Sequence, residues 1–159
     1  MKTGSSIKLL GFLGITAVLA LGISACASYE AEDARAAQLA VVTTDDLGDI
    51  LVDGEGNVLY AFMPDQQESV SCTFACASSW PPLVTRIGQL PAVDNGADAN
   101  IIGAMPATDG WDVVTYGGWP LYRSVLDKAP GQHLGQSVRS NGGEWYVMKP
   151  DGEPLSTGP

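Results

Sequence analysis

The sequence predicts an all-β protein: a single compact domain made of two tandem repeats, each founded on a β-hairpin. Three observations carry that expectation. The chain holds 19 Gly and 10 Pro among 159 residues, a density of turn formers that favours many short elements over long helices. Residues 51–65 align one for one with 113–127, sharing Gly56/Gly118, Leu59/Leu121, Tyr60/Tyr122 and Asp65/Asp127. Each copy runs from an apolar stretch through a glycine-containing turn into a second stretch that closes on Leu-Tyr-x4-Asp, the pattern of a hairpin. Trp80 and Trp145 then open the last segment of their copies. Two half-cores that cannot bury their apolar faces alone are expected to pack together about an approximate twofold axis.

The N-terminal stretch is an address. Lys2 and Lys8 precede an uncharged run over residues 9–25. That run falls short of the roughly 20 apolar residues of a membrane span and is interrupted by glycines, so export followed by cleavage fits it better. Ile23-Ser24-Ala25-Cys26 resembles the lipobox of bacterial lipoproteins. The resemblance implies that residues 1–25 are a removed signal peptide and that Cys26 carries a diacylglycerol, whose buried methylenes contribute about 0.8 kcal/mol each to membrane anchoring. Residues 26–38, with Glu30, Glu32 and Asp33 among alanines, read as the lipidated cysteine and a solvated acidic tether of roughly 20 Å reach.

Residues 39–159 then form the domain, with repeat one over about 39–85 and repeat two over about 101–152. Strands are expected near 39–43 and 101–105 as lead-ins, over 49–53 paired with 58–63, over 113–116 paired with 119–125, and over 145–149. Residues 86–100, with Gly88, Pro91 and Asn95-Gly96, connect the halves.

Charge removes one class of partner. With 8 Lys+Arg against 18 Asp+Glu the formal net charge is −10, and no basic cluster exists to meet phosphates, so nucleic acid is excluded. Loss of Lys2 and Lys8 makes the processed chain more negative still, and anionic headgroups should repel it.

The order of motifs carries a family resemblance. Leu59-Tyr60-x4-Asp65, Cys72-x3-Cys76, Trp80-Pro81-Pro82-Leu83, Gly118-Trp119-Pro120-Leu121-Tyr122-x4-Asp127, Gly135-Gln136 and Gly143-x-Trp145-Tyr146-Val147 together resemble the bacterial secreted-repeat lipoproteins with the Tyr-x4-Asp motif. The resemblance spans residues 47–152 and implies an exported, lipid-anchored protein of paired repeats, in a family whose biochemical function is largely unassigned.

The chemistry-bearing residues lean towards architecture. Residues i and i+5 point to opposite faces of a strand, so one regular strand does not bring Tyr60 to Asp65 or Tyr122 to Asp127. The rings are expected to be buried with bonded hydroxyls while the aspartates cap turns. Cys72 and Cys76, outside the cytoplasm, are expected to form a disulfide. The alternative is a redox or copper-handling site in which the two thiolates join His133, since soft sulfur selects Cu(I). Trp80, Trp111, Trp119 and Trp145 read as packing residues before a ligand platform, and Asp45, Asp46 and Asp49 as a solvated face before a calcium site. Metalloprotease, nucleophile-elbow and phosphate-loop motifs are missing. The expectation is a non-catalytic protein of the cell envelope that requires no cofactor. It would sit on the outer face of the cytoplasmic membrane, or on an outer membrane if the host has one, and bind an envelope protein or a small ligand.

Overall fold

A computed structural model of the chain describes residues 38–65, 69–107 and 110–156. The expected signal peptide, Cys26 and nearly all of the tether lie outside the described residues. The described chain is all-β, with strands β1 (Leu39–Thr44), β2 (Gly48–Asp53), β3 (Tyr60–Phe62), β4 (Val84–Arg86), β5 (Ile102–Pro106), β6 (Trp111–Tyr116), β7 (Trp119–Pro120), β8 (Val138–Ser140) and β9 (Gly143–Val147). One short helix, α1 (Ala75–Ser79), and two 3-10 turns, Met63–Asp65 and Ala99–Ile101, complete it. The strands form antiparallel sheets in the orders β1-β2, β3-β9-β8 and β4-β6-β5, with β7 on β6.

The lead-in strands β1 and β5 stand where the sequence places them, but the hairpins pair differently. β2 runs antiparallel to β1 along its whole length, from Leu39↔Asp53 to Thr44↔Gly48. It meets the following segment only around the turn, through the Val52↔Val58 bridge and the Leu59 N–H to Leu51 C=O bond (3.0 Å). The expected pairing of 49–53 with 58–63 is therefore corrected: β3 pairs with β9, Tyr60 opposite Val147 and Phe62 opposite Trp145. In the second copy the paired strands end at Thr115↔Pro120; the Leu121 C=O and the Tyr122 backbone then turn to partners in repeat one. The residue-for-residue alignment also slips at the turn. Leu59 bonds Leu51, whereas Leu121 bonds Val114 (3.0 Å), so repeat two is one residue shorter there. Gly117 and Gly118, both with positive φ (60° and 84°), make the two-residue turn that only glycine accommodates so cheaply.

The physical reason for the altered pairing is that the repeats exchange their last segments. Leu83, just beyond Trp80 in repeat one, donates its N–H to Leu121 C=O and accepts from Val114 N–H, each at 2.8 Å. Met148, just beyond Trp145 in repeat two, does the same with Leu59 and Leu51, each at 2.9 Å. On the axis between the copies Tyr60 and Tyr122 bond each other reciprocally, N–H to C=O, at 2.9 and 3.0 Å. Each repeat thus lacks one side of its own ladder and takes it from the other.

Because the central strands are covered on both sides, they read as continuous apolar runs rather than as a clean alternation. Ile50, Val52, Tyr60 and Phe62 face one cluster with Trp80 and Trp145. Leu51, Leu59 and Ala61 face a second with Leu83, Leu121 and Met148. Both clusters draw on both repeats, so neither half owns a core. Leu83→Ala, a repeat-one substitution at a fully buried position, should cost about 2–5 kcal/mol. It should shift tryptophan fluorescence and far-UV circular dichroism together in one urea transition; separate transitions for the two halves would contradict the exchange.

Candidate functional site

The two Tyr-x4-Asp motifs meet crosswise. The Tyr60 hydroxyl donates to Asp127 Oδ2 and the Tyr122 hydroxyl to Asp65 Oδ2, both at 2.7 Å. Neither tyrosine reaches the aspartate of its own motif, because the chain leaves the strand before the carboxylate: β3 ends at Phe62 and the 3-10 turn Met63–Asp65 carries Asp65 around to the partner repeat, while β7 ends at Pro120, well before Asp127. The second oxygen of each carboxylate holds the loop that follows it. Asp127 Oδ1 accepts the Leu134 N–H at 2.9 Å, and Asp65 Oδ1 accepts the Ser71 N–H at 2.8 Å and its hydroxyl at 2.5 Å. Burial first, and then the adjacent carboxylate, push both phenols far above the ordinary tyrosine range, so both stay protonated donors.

Around this lattice the rings repeat the same symmetry. The indoles of Trp80 and Trp145 stack face to face, centroids 3.9 Å apart and 5° from parallel. Tyr60 stands edge-on to Trp80 (5.4 Å, 77°) and Tyr122 edge-on to Trp145 (5.2 Å, 88°). Trp119 is buried as well, and Trp111 lies under Arg86, whose guanidinium carbon is 5.3 Å from the ring centroid. Trp80, Trp119 and Trp145 thus fill the interior and offer no exposed platform. Gly135 lies against this aromatic wall: a Cβ there would come within 2.8 Å of both Trp80 and Tyr60.

Cys72 and Cys76 form a disulfide with Cα atoms 5.2 Å apart, tying the segment before α1 to its second residue. The sequence offered no helical signal in so short a segment. Phe74 within the ring has φ 50°, an uncommon conformation for a bulky residue, and is 91% exposed. His133 is not brought into a metal site: its Nδ1 contacts Gly131 C=O and its Nε2 contacts Asp46 Oδ2, each at 3.0 Å. Among the described residues no group of three His, Cys, Asp or Glu could hold a metal ion, so the copper alternative finds no third ligand. Asp45, Asp46 and Asp49 do not converge either, since Asp49 accepts from the Thr43 hydroxyl (2.6 Å) while Asp46 meets His133.

Two polar elements had no role assigned from the sequence. The buried Asp53 carboxylate accepts from Asn57 and from Arg123 Nε (2.5 Å), joining the repeat-one turn to the segment that follows Tyr122. Gln136 caps an open strand edge, accepting from Val147 N–H and donating to Leu155 C=O, both at 2.8 Å. At the surface, a cleft of about 310 Å³ opens over the edge of Trp80, walled by Val125, Leu126, Val138 and Asn141. Val125 and Leu126 are both exposed, which makes this the candidate binding site.

The chain matches, over residues 41–84 and again over 103–149, a family described as a secreted repeat of unknown function. No curated protein and no solved structure matches it.

Two predictions rest on this geometry. Tyr122→Phe strips a donor from the fully buried Asp65 and should cost about 1–3 kcal/mol in urea unfolding. Tyr60→Phe should cost less, because Asp127 is only half-buried, and a larger loss at Tyr60 would reverse that ranking. For His133, burial pulls the pKa down, but Gly131 C=O and Asp46 outweigh it and leave the pKa above the ordinary 6.5. The link is therefore fully present below that pH and is lost as pH rises through the elevated value. Between about pH 6 and 8 the Tm of the native chain should fall more than that of His133→Gln.

Proposed function

This chain belongs to the family of secreted repeats of unknown function, and from that membership we propose that it is a non-catalytic binding module. It would be held at the outside of a bacterial cell envelope by lipid on Cys26. The family description points to a location beyond the cytoplasm. The observation that carries the reading is the crosswise Tyr–Asp lattice: each motif carboxylate uses both oxygens on the fold itself, leaving neither as a general acid or base. The motif's chemistry is spent on joining the repeats.

What remains at the surface supports recognition. The cleft over Trp80 combines the aliphatic side chains of Val125, Leu126 and Val138 with the polar Ser79, Ser140 and Asn141, a composition that suits an apolar ligand group or a partner's side chain oriented by a few hydrogen bonds. The sequence Ile23-Ser24-Ala25-Cys26 supports the anchor. The disulfide supports a structural role for the cysteines, contributing about 2 kcal/mol by restricting the unfolded chain.

Intact-mass analysis of the exported protein tests these points together. The expected mass is that of a chain beginning at Cys26 with diacylglycerol added, lighter by two hydrogens for the disulfide, and unchanged when Cu(I) is supplied. Free thiols that take up copper would restore the metal-handling reading. Turnover of any member of an ester, glycoside and peptide substrate panel by the purified protein would overturn the non-catalytic one.

A further inference from the structure

We propose that the loop over residues 86–90 is a membrane-contact element that lays the domain on the bilayer beside its own anchor; this rests on the lipid-anchored reading above. Ile87 is 67% exposed and Leu90 60% exposed. They flank a tight turn in which the Gln89 N–H donates to Arg86 C=O at 2.9 Å and Gly88 takes φ 73°. Two large aliphatic side chains held out on a stiff turn gain nothing in water.

Their occupant is indicated by where the chain enters the domain. Leu39, the first strand residue, donates its N–H to Ala92 C=O (2.9 Å), accepts from Asp94 N–H (2.8 Å) and forms a parallel bridge with Val93. The segment carrying Leu90 is thus fastened to the point from which residues 27–38 lead back to Cys26. Twelve residues span at most about 40 Å even when fully extended, so an anchor at Cys26 keeps this face within reach of the bilayer at high effective concentration.

The neighbouring side chains suit an interface as well. Ile87 adjoins Arg86, which covers the half-buried ring of Trp111, and Ile87 N–H bonds Gly110 C=O at 3.1 Å. Apolar side chains flanked by Trp and Arg are a composition that settles at the headgroup level. The exposed Asp94 nearby and the net charge of −10 oppose anionic lipid, so the surface recognised is a zwitterionic one.

The test uses the full chain, exported and processed by a bacterial host and reconstituted in phosphatidylcholine vesicles with and without bromine on the acyl chains. The native protein should float with the vesicles and lose about a quarter of its tryptophan emission to bromine, the share of one Trp in four. Trp111→Phe should abolish that quenching, and so should the double variant Ile87→Asn/Leu90→Asn while still floating; adding phosphatidylglycerol should not strengthen it. A native chain that floats but is not quenched overturns the contact alone. A chain that fails to float overturns the anchor, and this proposal with it.

Discussion

The reciprocal backbone pairing of Tyr60 with Tyr122 is the contact on which the rest of the domain is arranged. It sits on the approximate twofold axis, so whatever one copy offers to the other must be offered back. The hydroxyls, the carboxylates and the two indoles all obey that rule. A phenol donating to a carboxylate in the interior is a charge-assisted bond of the stronger kind. Four of its partners come from segments that are distant along the chain, so the lattice converts sequence separation into rigidity.

The symmetry is not complete, and its breaks mark where the copies specialise. Cys72 in repeat one and Gly135 in repeat two occupy matching places, each giving its backbone N–H to the tyrosine hydroxyl of its neighbourhood. In one copy the following segment is closed by a disulfide and a helical turn. In the other it is kept glycine-small to lie on the Trp80 ring, and then extends as β8. The cleft over Trp80 exists because Ser140, from β8, receives the indole N–H at 3.1 Å beside Val125 and Leu126. The lattice is shared by both copies, whereas the cleft arises only where they differ.

Much of this was legible in the residues. The duplication, the all-β class, the lead-in strands and the burial of the tyrosines follow from periodicity, turn residues and repeated motifs. The crosswise pairing was not, because alignment within one chain shows that Tyr60 and Tyr122 correspond but carries no information on which Asp each will meet. In repeat one the hairpin reading failed for a related reason. Strand propensity in 49–53 and 58–63 is satisfied equally well by other partners, the preceding β1 for the first and the distant β9 for the second. The roles of Arg123 and Gln136 were not legible because a single polar residue beside an apolar run gives no periodic signal; only the folded contact with Asp53 or with the edge of β9 reveals its use.

Exchange of the terminal segments also governs the order of events outside the membrane. A secreted chain emerges N-terminus first, and once residues 38–86 are across, Tyr60 still has no phenol acceptor, Leu51 and Leu59 have no Met148, and Trp80 has no Trp145 to stack upon. The first repeat must wait, open, until about the last dozen residues of the second have followed, since long-range pairings can form only after both partners are present. Translocation and folding are therefore separated in time by the topology itself, and the early-emerging half stays open in the interval.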